Sequence, residues 1–169
     1  MTSRIRPTTL AASIIFGAAR AALGILWLHE GIFKYTAHFG RADILLVVDS
    51  AKSNSRVPEY FGLLARHILG TWPSLFGFAI PLLETGLGVA LVIGVFSLAA
   101  ALASLLTLMT YWSSDQLIAQ YPIMGALSAV VIAWPVWAAR LSTTALVVAV
   151  LNRRQVAAPL ISGPLRQWL

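Results

Sequence analysis

Residues 72–94 are WPSLFGFAIPLLETGLGVALVIG, and Glu84 is the only charged residue among them. A helix that crosses the hydrocarbon core of a bilayer, about 30 Å thick, needs about 20 mostly apolar residues at 1.5 Å each. This stretch meets that requirement, and it is too long for a barrel strand of about ten alternating residues. It therefore predicts a membrane-spanning helix with a carboxyl group near the middle of the bilayer.

Three further apolar runs surround this stretch. They cover residues 10–34 before it and residues 96–112 and 121–139 after it. We do not expect the first run to be a cleaved signal sequence. The core segment of a signal sequence is purely apolar, whereas charged residues such as Arg20 interrupt this run. The sequence thus predicts an all-α integral membrane protein, a bundle of four transmembrane helices.

The composition of the 169 residues agrees with a membrane protein. Hydrophobic residues make up 59 % and charged residues 11 %, and the mean hydropathy is +0.82; a typical soluble domain has about 25 % charged residues. The absence of cysteine excludes disulfides, thiolate metal sites, iron–sulfur clusters and a cysteine nucleophile. The twelve basic residues are scattered singly apart from Arg153 and Arg154, so the net charge of +6 does not predict nucleic-acid binding.

The four runs form one predicted domain, which we place at residues 1–152, followed by a short tail at 153–169. The sequence leaves open whether residues 141–151 continue the fourth helix past a kink at Pro135 or form a separate segment. Four spans put both termini on one side of the membrane. Six basic residues lie in the terminal parts and five in the first loop counted from Lys34, so the positive-inside rule places both termini in the cytoplasm.

The first loop, residues 35–71, contains two amphipathic segments at 42–52 and 59–70. Both predict helices that lie at the membrane interface. In the second segment the apolar positions with helical spacing are Phe61, Leu64 and Ile68. This helix either packs on the bundle or forms a lid over a site that opens on that side.

Arg20 and Glu84 are the two charged residues that the apolar runs place deepest. A charge at the bilayer centre costs about 3 kcal/mol or more, so each residue marks a functional hypothesis. Small residues share their helix faces, which favours close packing of the two helices. These residues are Gly17, Gly24 and Gly31 on the first helix, and Gly77, Pro81 and Gly88 on the second. We therefore expect a glycine seam in which Arg20 and Glu84 meet.

The expected pair has two interpretations. It fixes helix packing without chemistry, or Glu84 accepts a proton or a quinol hydroxyl while the opposite charge of Arg20 keeps its carboxyl group ionised. In the second interpretation the quinol binds in an apolar slot with a few hydrogen-bonding groups, which is typical of small-molecule sites.

Three more polar residues lie near the end of the first run. Glu30 and Lys34 stand at i and i+4 in the favourable order, so we expect an interfacial salt bridge with Lys34 extended toward the headgroups. His29 is nearly opposite Arg20 on the helix, either as a proton-exchanging group or as a hydrogen-bonded structural residue. No metal-binding motif and no pair of facing histidines occurs in the spans, so we expect neither a metal site nor haem.

Two motifs resemble those of a known family. The first-helix signature of the DoxX/DoxD family is similar to Arg20-x-x-Leu23-Gly24-x-x-x-Leu28-x-x-Gly31-x-x-Lys34, and its second-helix pattern is similar to Glu84-x-x-Leu87-Gly88-x-x-Leu91-x-x-Gly94. The resemblance covers about residues 16–142, including the number of spans and the long first loop.

The resemblance implies a four-helix subunit of a redox complex in a bacterial inner membrane. For the DoxD branch it implies the small subunit of a thiosulfate:quinone oxidoreductase, which passes electrons from thiosulfate to a quinone and forms tetrathionate. We then expect a separate redox or soluble protein as partner, Glu84 and Arg20 as catalytic candidates, and a quinone as cofactor. The residues expected to bind the quinone are Trp27, His29, Gly31 and Lys34.

Two other classes of function stay open at this point. The chain is a non-catalytic anchor or assembly subunit of a larger complex, or a homo-oligomer forms a pathway for small solutes or protons. A serine-centred hydrolase motif and a glycine-rich phosphate loop are both absent from the sequence, so hydrolysis and phosphoryl transfer lack support.

Overall fold

The computed structural model describes residues 7–153, and every regular element in that range is a helix. The elements are α1 (Pro7–Thr36), α2 (Arg41–Ser53), α3 (Glu59–Leu64) followed by a π-helical turn (Ala65–Leu69), α4 (Pro73–Ile93), α5 (Ser97–Ser113), α6 (Tyr121–Ala133), α7 (Pro135–Ala139) and α8 (Thr143–Arg153). The all-α prediction is confirmed for these residues. Arg153, the first residue of the predicted tail at 153–169, is the last residue of α8, and the rest of that tail lies outside the described residues.

Two of the described helices, α1 and α4, are long and apolar enough to cross a membrane. The apolar helices α5 and α6 have 17 and 13 residues, fewer than the about 20 of a full crossing. Large apolar side chains cover the outside of the bundle: Ile15, Phe78 and Leu106 are 64 %, 65 % and 66 % exposed. The structure is thus an all-helical bundle with two candidate membrane-spanning helices.

The helices α1 and α4 pack antiparallel through positions that lack side chains. A Cβ atom added at Gly24 would lie 2.8 Å from a backbone nitrogen of α4, and one at Gly88 would lie 2.7 Å from a backbone nitrogen of α1. At Gly31 the corresponding distance to α4 is 2.9 Å. Because real Cβ atoms do not approach backbone so closely, the two axes can lie this near only where glycine is present. The predicted glycine seam is confirmed at these three positions.

The main core fills the space between α1, α4, α5 and α6. Trp27 and Met124 have no exposed surface there, and Tyr121 has 1 %. Within this apolar core a short polar chain crosses three helices: the Trp27 indole N–H donates to Ser104 Oγ at 2.7 Å, and Ser104 Oγ lies 2.8 Å from Ser128 Oγ. These hydrogen bonds satisfy the polar atoms of the three side chains and tie α1, α5 and α6 together.

The fourth apolar run breaks at a proline. Helix α6 ends at Ala133, Pro135 begins the short α7, and the chain leaves helical geometry again before α8. Proline has no N–H to continue the ladder, which accounts for the first break. The open question about residues 141–151 is therefore answered: they belong to a separate helix, with a break at Pro135 as well.

The first loop folds back onto α4. Helix α2 and the α3 segment share a second core with α4, in which Ile44, Phe61 and Leu69 are buried. The α2 end of the loop reaches the bundle at Gly77, whose added Cβ would lie 2.6 Å from the carbonyl carbon of Gly40. Gly77 therefore serves this contact and not the seam with α1, contrary to the sequence-based expectation.

The π-helical turn changes which side of the second loop segment is buried. A regular helix would place Ile68 on the same face as Phe61 and Leu64, as the sequence predicts. The extra residue per turn between Ala65 and Leu69 shifts the face by one position, so Leu69 is 8 % exposed and Ile68 44 %. The prediction for Ile68 is therefore wrong.

Candidate functional site

Glu84 lies in the middle of α4 and has no exposed surface. Its Oε1 accepts a hydrogen bond from Lys34 Nζ of α1 at 2.6 Å and another from the hydroxyl of Tyr111 of α5. Its Oε2 has no hydrogen-bond partner among the described residues. The carboxylate is thus held at one oxygen and has an unsatisfied acceptor at the other.

A second buried carboxylate, Glu30, lies in the same part of the bundle. It is 5 % exposed and accepts hydrogen bonds from the Gln120 side chain and, at 3.4 Å, from the Tyr121 hydroxyl. Lys34 Nζ also lies 3.4 Å from Glu30 Oε2. Gln120 thus bonds the Oε1 of Glu30, while Tyr121 and Lys34 share its Oε2.

Lys34 joins the two carboxylates, and we call Glu30, Lys34 and Glu84 the carboxylate cluster. Its side chain is only 12 % exposed, and Nζ lies 5.4 Å from the centre of the Tyr111 ring. The predicted ion pair with Glu30 is therefore present, and Lys34 also bonds the buried Glu84. With both carboxyl groups ionised, this cluster carries one more negative than positive charge.

Arg20 does not meet Glu84, so the predicted ion pair between them is wrong. Its guanidinium group donates instead to backbone carbonyls: Nε to Ala138 O at 3.0 Å, Nη2 to Leu141 O at 3.1 Å, and Nη1 to Leu91 O and Val92 O of α4. These carbonyls lie in or just after the last turns of α4 and α7, where no intrahelical N–H is available to them. A cation is also favoured at the negative ends of two helix dipoles.

The antiparallel packing of α1 and α4 explains the separation. Each step toward the N-terminus of α1 corresponds to a step toward the C-terminus of α4, so Arg20 lies beside Gly94, where an added Cβ would be 2.7 Å from Nη1. Glu84 is ten residues before Gly94, or about 15 Å along a helix. Arg20 is therefore level with the turn between α4 and α5 and not with Glu84.

Most of the other candidate residues do not contact Glu84. His29 is exposed on the outside of α1, as its position opposite Arg20 predicts. Gly31 is closed by α4, and an added Cβ would collide with Thr85 Oγ1. The indole N–H of Trp27 is already bonded to Ser104. Of the four residues expected to bind a quinone, only Lys34 contacts the Glu84 carboxylate.

Sequence reasoning missed three hydrogen-bonding residues of this site, namely Tyr111, Gln120 and Tyr121. Tyr111 follows Ser104 and Leu108 at helical spacing on α5, and all three are buried. That spacing could have placed the Tyr111 hydroxyl on the inward face of its helix. The Gln120 contact depends on the geometry of the α5–α6 turn, for which the sequence carries no comparable signal.

The arrangement supports proton or hydrogen-bond exchange more readily than metal binding. Among residues 7–153 no group of three His, Asp or Glu side chains is placed to hold a metal ion. The cluster instead offers a buried acceptor oxygen beside an ammonium group and a phenol, which are groups that accept and donate protons. No family model matches the chain, and no curated protein or solved structure shows a significant similarity to it.

Proposed function

We propose that the chain is a DoxX/DoxD-like integral membrane protein that serves as the quinone-interacting subunit of a redox complex, with Glu84 as its proton acceptor. The observation that carries this proposal is the buried Oε2 of Glu84 without a hydrogen-bond partner. A buried polar atom left unsatisfied costs about 1–3 kcal/mol. A hydroxyl of a small molecule that donates to this oxygen would remove that cost.

The neighbours of Glu84 suit it to this role. Lys34 and Tyr111 both bond Oε1, so they fix the orientation of the carboxyl group and leave Oε2 open. Lys34 lies between the two carboxylates and stabilises negative charge on either one. Glu30, bonded by Gln120 at the start of α6, would supply protons to Glu84 through Lys34, which lies between the two carboxylates.

A quinone would supply the redox chemistry, because its reduction takes up two electrons and two protons; a proton that Glu84 accepts would be passed on to the quinone oxygen. The open Oε2 is an acceptor of the kind that a quinol hydroxyl bonds, so the donor and acceptor groups of the cluster fit such a headgroup. We place the headgroup at Glu84, Lys34 and Tyr111. Trp27 and Gly31 then act as packing residues, His29 faces away from the headgroup, and Arg20 ties helix ends together.

The membrane arrangement is part of the same proposal. In it, α5 and the α6–α7 pair complete a four-span bundle with α1 and α4, in a bacterial inner membrane and with both termini in the cytoplasm. A separate protein would bring the electrons, since the residues of this chain provide no thiol and the cluster provides no metal ligand set.

Replacement of Glu84 by Gln tests the proton role directly, because the amide keeps the shape of the side chain but accepts no proton. We expect thiosulfate-dependent quinone reduction by native membranes to fall about a hundredfold or more, the range of general acid–base effects. The matched control is Glu59→Gln, which changes an exposed acid on α3 and leaves turnover intact. Full activity of the Glu84→Gln protein, inserted at normal levels, would contradict the proposal.

A second candidate is a non-catalytic assembly subunit, and one observation favours it. Hydrogen bonds of the carboxylate cluster join α1, α4, α5 and the start of α6, so the same side chains hold the bundle together. Under this alternative the Glu84→Gln protein keeps turnover whenever the complex still assembles. Recovery of the intact complex with Glu84→Gln, measured together with its turnover, therefore separates the two candidates.

A further inference from the structure

An open groove of about 620 Å³ lies at the Arg20 end of the bundle, between the end of α4 and α8. Its apolar wall contains Val92, Ile93 and Leu146, and its polar edge contains Arg140, Ser142 and Thr143. The volume falls within the about 300–1,000 Å³ that is typical of small-molecule sites. The groove is therefore amphipathic, with a cationic edge beside a hydrocarbon-like wall.

The groove is tied to the bundle by specific contacts. Thr144 Oγ1 donates to Gly94 O at 3.0 Å, which fixes the start of α8 beside the turn between α4 and α5. Ser142 Oγ accepts the N–H of Ala145 at 3.1 Å and so caps α8. Arg140 lies with its guanidinium carbon 5.6 Å from the centre of the Trp137 ring. The polar edge thus lies in the connection between α7 and α8 and at the first residue of α8.

The charge distribution of the whole chain selects the ligand. All six acidic residues lie away from the groove: Glu30 and Glu84 in the carboxylate cluster, Asp43, Asp49 and Glu59 on α2 and α3, and Asp115 after α5. Arg20 and Arg140 therefore carry positive charge at this end with no carboxylate to balance it. Such an edge favours an anion, and the adjacent apolar wall favours one that has a hydrocarbon chain.

We infer that the groove binds an anionic phospholipid, with the phosphate at Arg140 and the start of α8 and an acyl chain along Val92, Ile93 and Leu146. The inference depends on the membrane location given under the proposed function, but not on its redox chemistry. The positive start of α8 adds to the attraction of Arg140 for phosphate. The lipid then holds α8 against the bundle.

Lipid retention by the purified full-length chain tests this inference without any turnover assay. In mild detergent, native mass spectrometry with added phosphatidylglycerol or phosphatidylcholine measures the affinity for each lipid. We expect phosphatidylglycerol to bind at least about fivefold more tightly, and Arg140→Gln to remove that preference, since one basic residue near a lipid surface contributes about a fivefold effect. Equal binding of the two lipids to the unchanged protein would overturn the inference.

Control variants keep the result interpretable. Arg66→Gln removes an exposed arginine from the π-helical turn, far from the groove, and should leave the preference unchanged. Arg140→Lys keeps the charge and should retain most of it even if the Arg140→Gln protein fails to fold. Equal losses in Arg66→Gln and Arg140→Gln would show a general charge effect and contradict the inference.

Two further arms separate the lipid from other occupants and from the proposed function. Glycerol phosphate, which has the same phosphate but no acyl chain, should bind far more weakly than phosphatidylglycerol; equal binding would replace the lipid with a soluble anion. Resistance of the chain to carbonate extraction from membranes tests the membrane location by itself. If lipid binding fails while extraction resistance and Glu84 dependence of turnover persist, only the groove inference is wrong.

Discussion

Arg20 and Lys34 are both cations buried on α1, but their charges are balanced in opposite ways. Arg20 is surrounded by backbone carbonyls at the ends of α4 and α7, which are neutral groups fixed in place by the helices. Lys34 faces two carboxylates, and one oxygen of Glu84 has no partner. We therefore assign Arg20 a structural role, because its partners are fixed dipoles. Lys34 takes part in the proposed proton exchange, because its partners are ionisable groups.

The Arg20 end and the Lys34 end of the bundle also differ in the role that we assign to their side chains. At the Arg20 end the guanidinium group supplies donors to carbonyls that α4 and α7 leave free, so its loss would affect stability alone. At the Lys34 end the groups can exchange protons, so their loss would affect both stability and the proposed activity. Substitutions at each end of the bundle test this division.

Replacing Lys34 by Met should produce the largest loss of stability. It removes the only ammonium group bonded to Glu30 and Glu84 in the described part of the chain. Removing one partner of a buried ion pair costs about 3–5 kcal/mol. Reversible unfolding in mixed micelles measures the loss, with Lys52→Met on the exposed surface of α2 as control. A Lys34→Met protein as stable as the control would contradict the buried cluster.

Replacing Arg20 by Met should cost somewhat less, about 3 kcal/mol, because a buried carbonyl left without a donor costs about 1–3 kcal/mol and only two of the four bonds, to Ala138 O and Leu91 O, are fully buried. The same unfolding assay measures it. Turnover per assembled complex should stay close to that of the unchanged protein. If Arg20→Met abolished turnover in a complex that still assembles, Arg20 would belong to the reactive site after all.

Adding a methyl group at Gly24 should destabilise the bundle by about 1–3 kcal/mol, the usual cost of overpacking. The new Cβ would lie 2.8 Å from the backbone nitrogen of Val92. Gly86 provides a matched control on α4, since a Cβ there meets nothing within 4 Å. Gly86→Ala should be neutral or stabilising by up to about 1 kcal/mol. Equal effects at the two positions would disprove the close approach of α1 and α4.

The smallest effect is expected at the link between the first loop and the α5–α6 turn. Arg56 Nη2 lies 2.6 Å from Asp115 Oδ2, but the Arg56 side chain is 70 % exposed. Exposed pairs of this kind contribute about 0.2–1 kcal/mol. Arg56→Gln should therefore lower stability by no more than this amount, and a loss above about 2 kcal/mol would show that the loop is anchored here more firmly than its exposure indicates.

The sequence predicted the helices and their faces better than it predicted their contacts. Apolar periodicity located the helical runs, and the glycine spacing predicted the seam, because both depend on local geometry. The Arg20–Glu84 pair was wrong because depth was counted from the ends of each run. Helix α1 extends well beyond the end of α4, so equal depth in the runs does not mean equal height in the bundle.

A stronger inference was available in the sequence. If Gly24 packs against Gly88 and Gly31 against Thr85, antiparallel helices place Glu30 and Lys34 near Glu84 and Arg20 near Gly94. The π-helical turn and the Gln120 contact are different, because each depends on tertiary packing that no short sequence pattern encodes. The helix faces are thus predictable, whereas the partners of their buried polar groups depend on the relative height of the helices.

A pair of double-mutant cycles tests whether Arg20 and Lys34 belong to separate sites. One cycle combines Lys34→Met with Glu84→Gln, and the other combines Arg20→Met with Glu84→Gln, with unfolding free energies measured in the same micelles. We predict a coupling energy of about 1–3 kcal/mol for Lys34 with Glu84, and below about 0.5 kcal/mol for Arg20 with Glu84. A larger coupling for Arg20 than for Lys34 would contradict the assignment of Lys34, and not Arg20, to the Glu84 site.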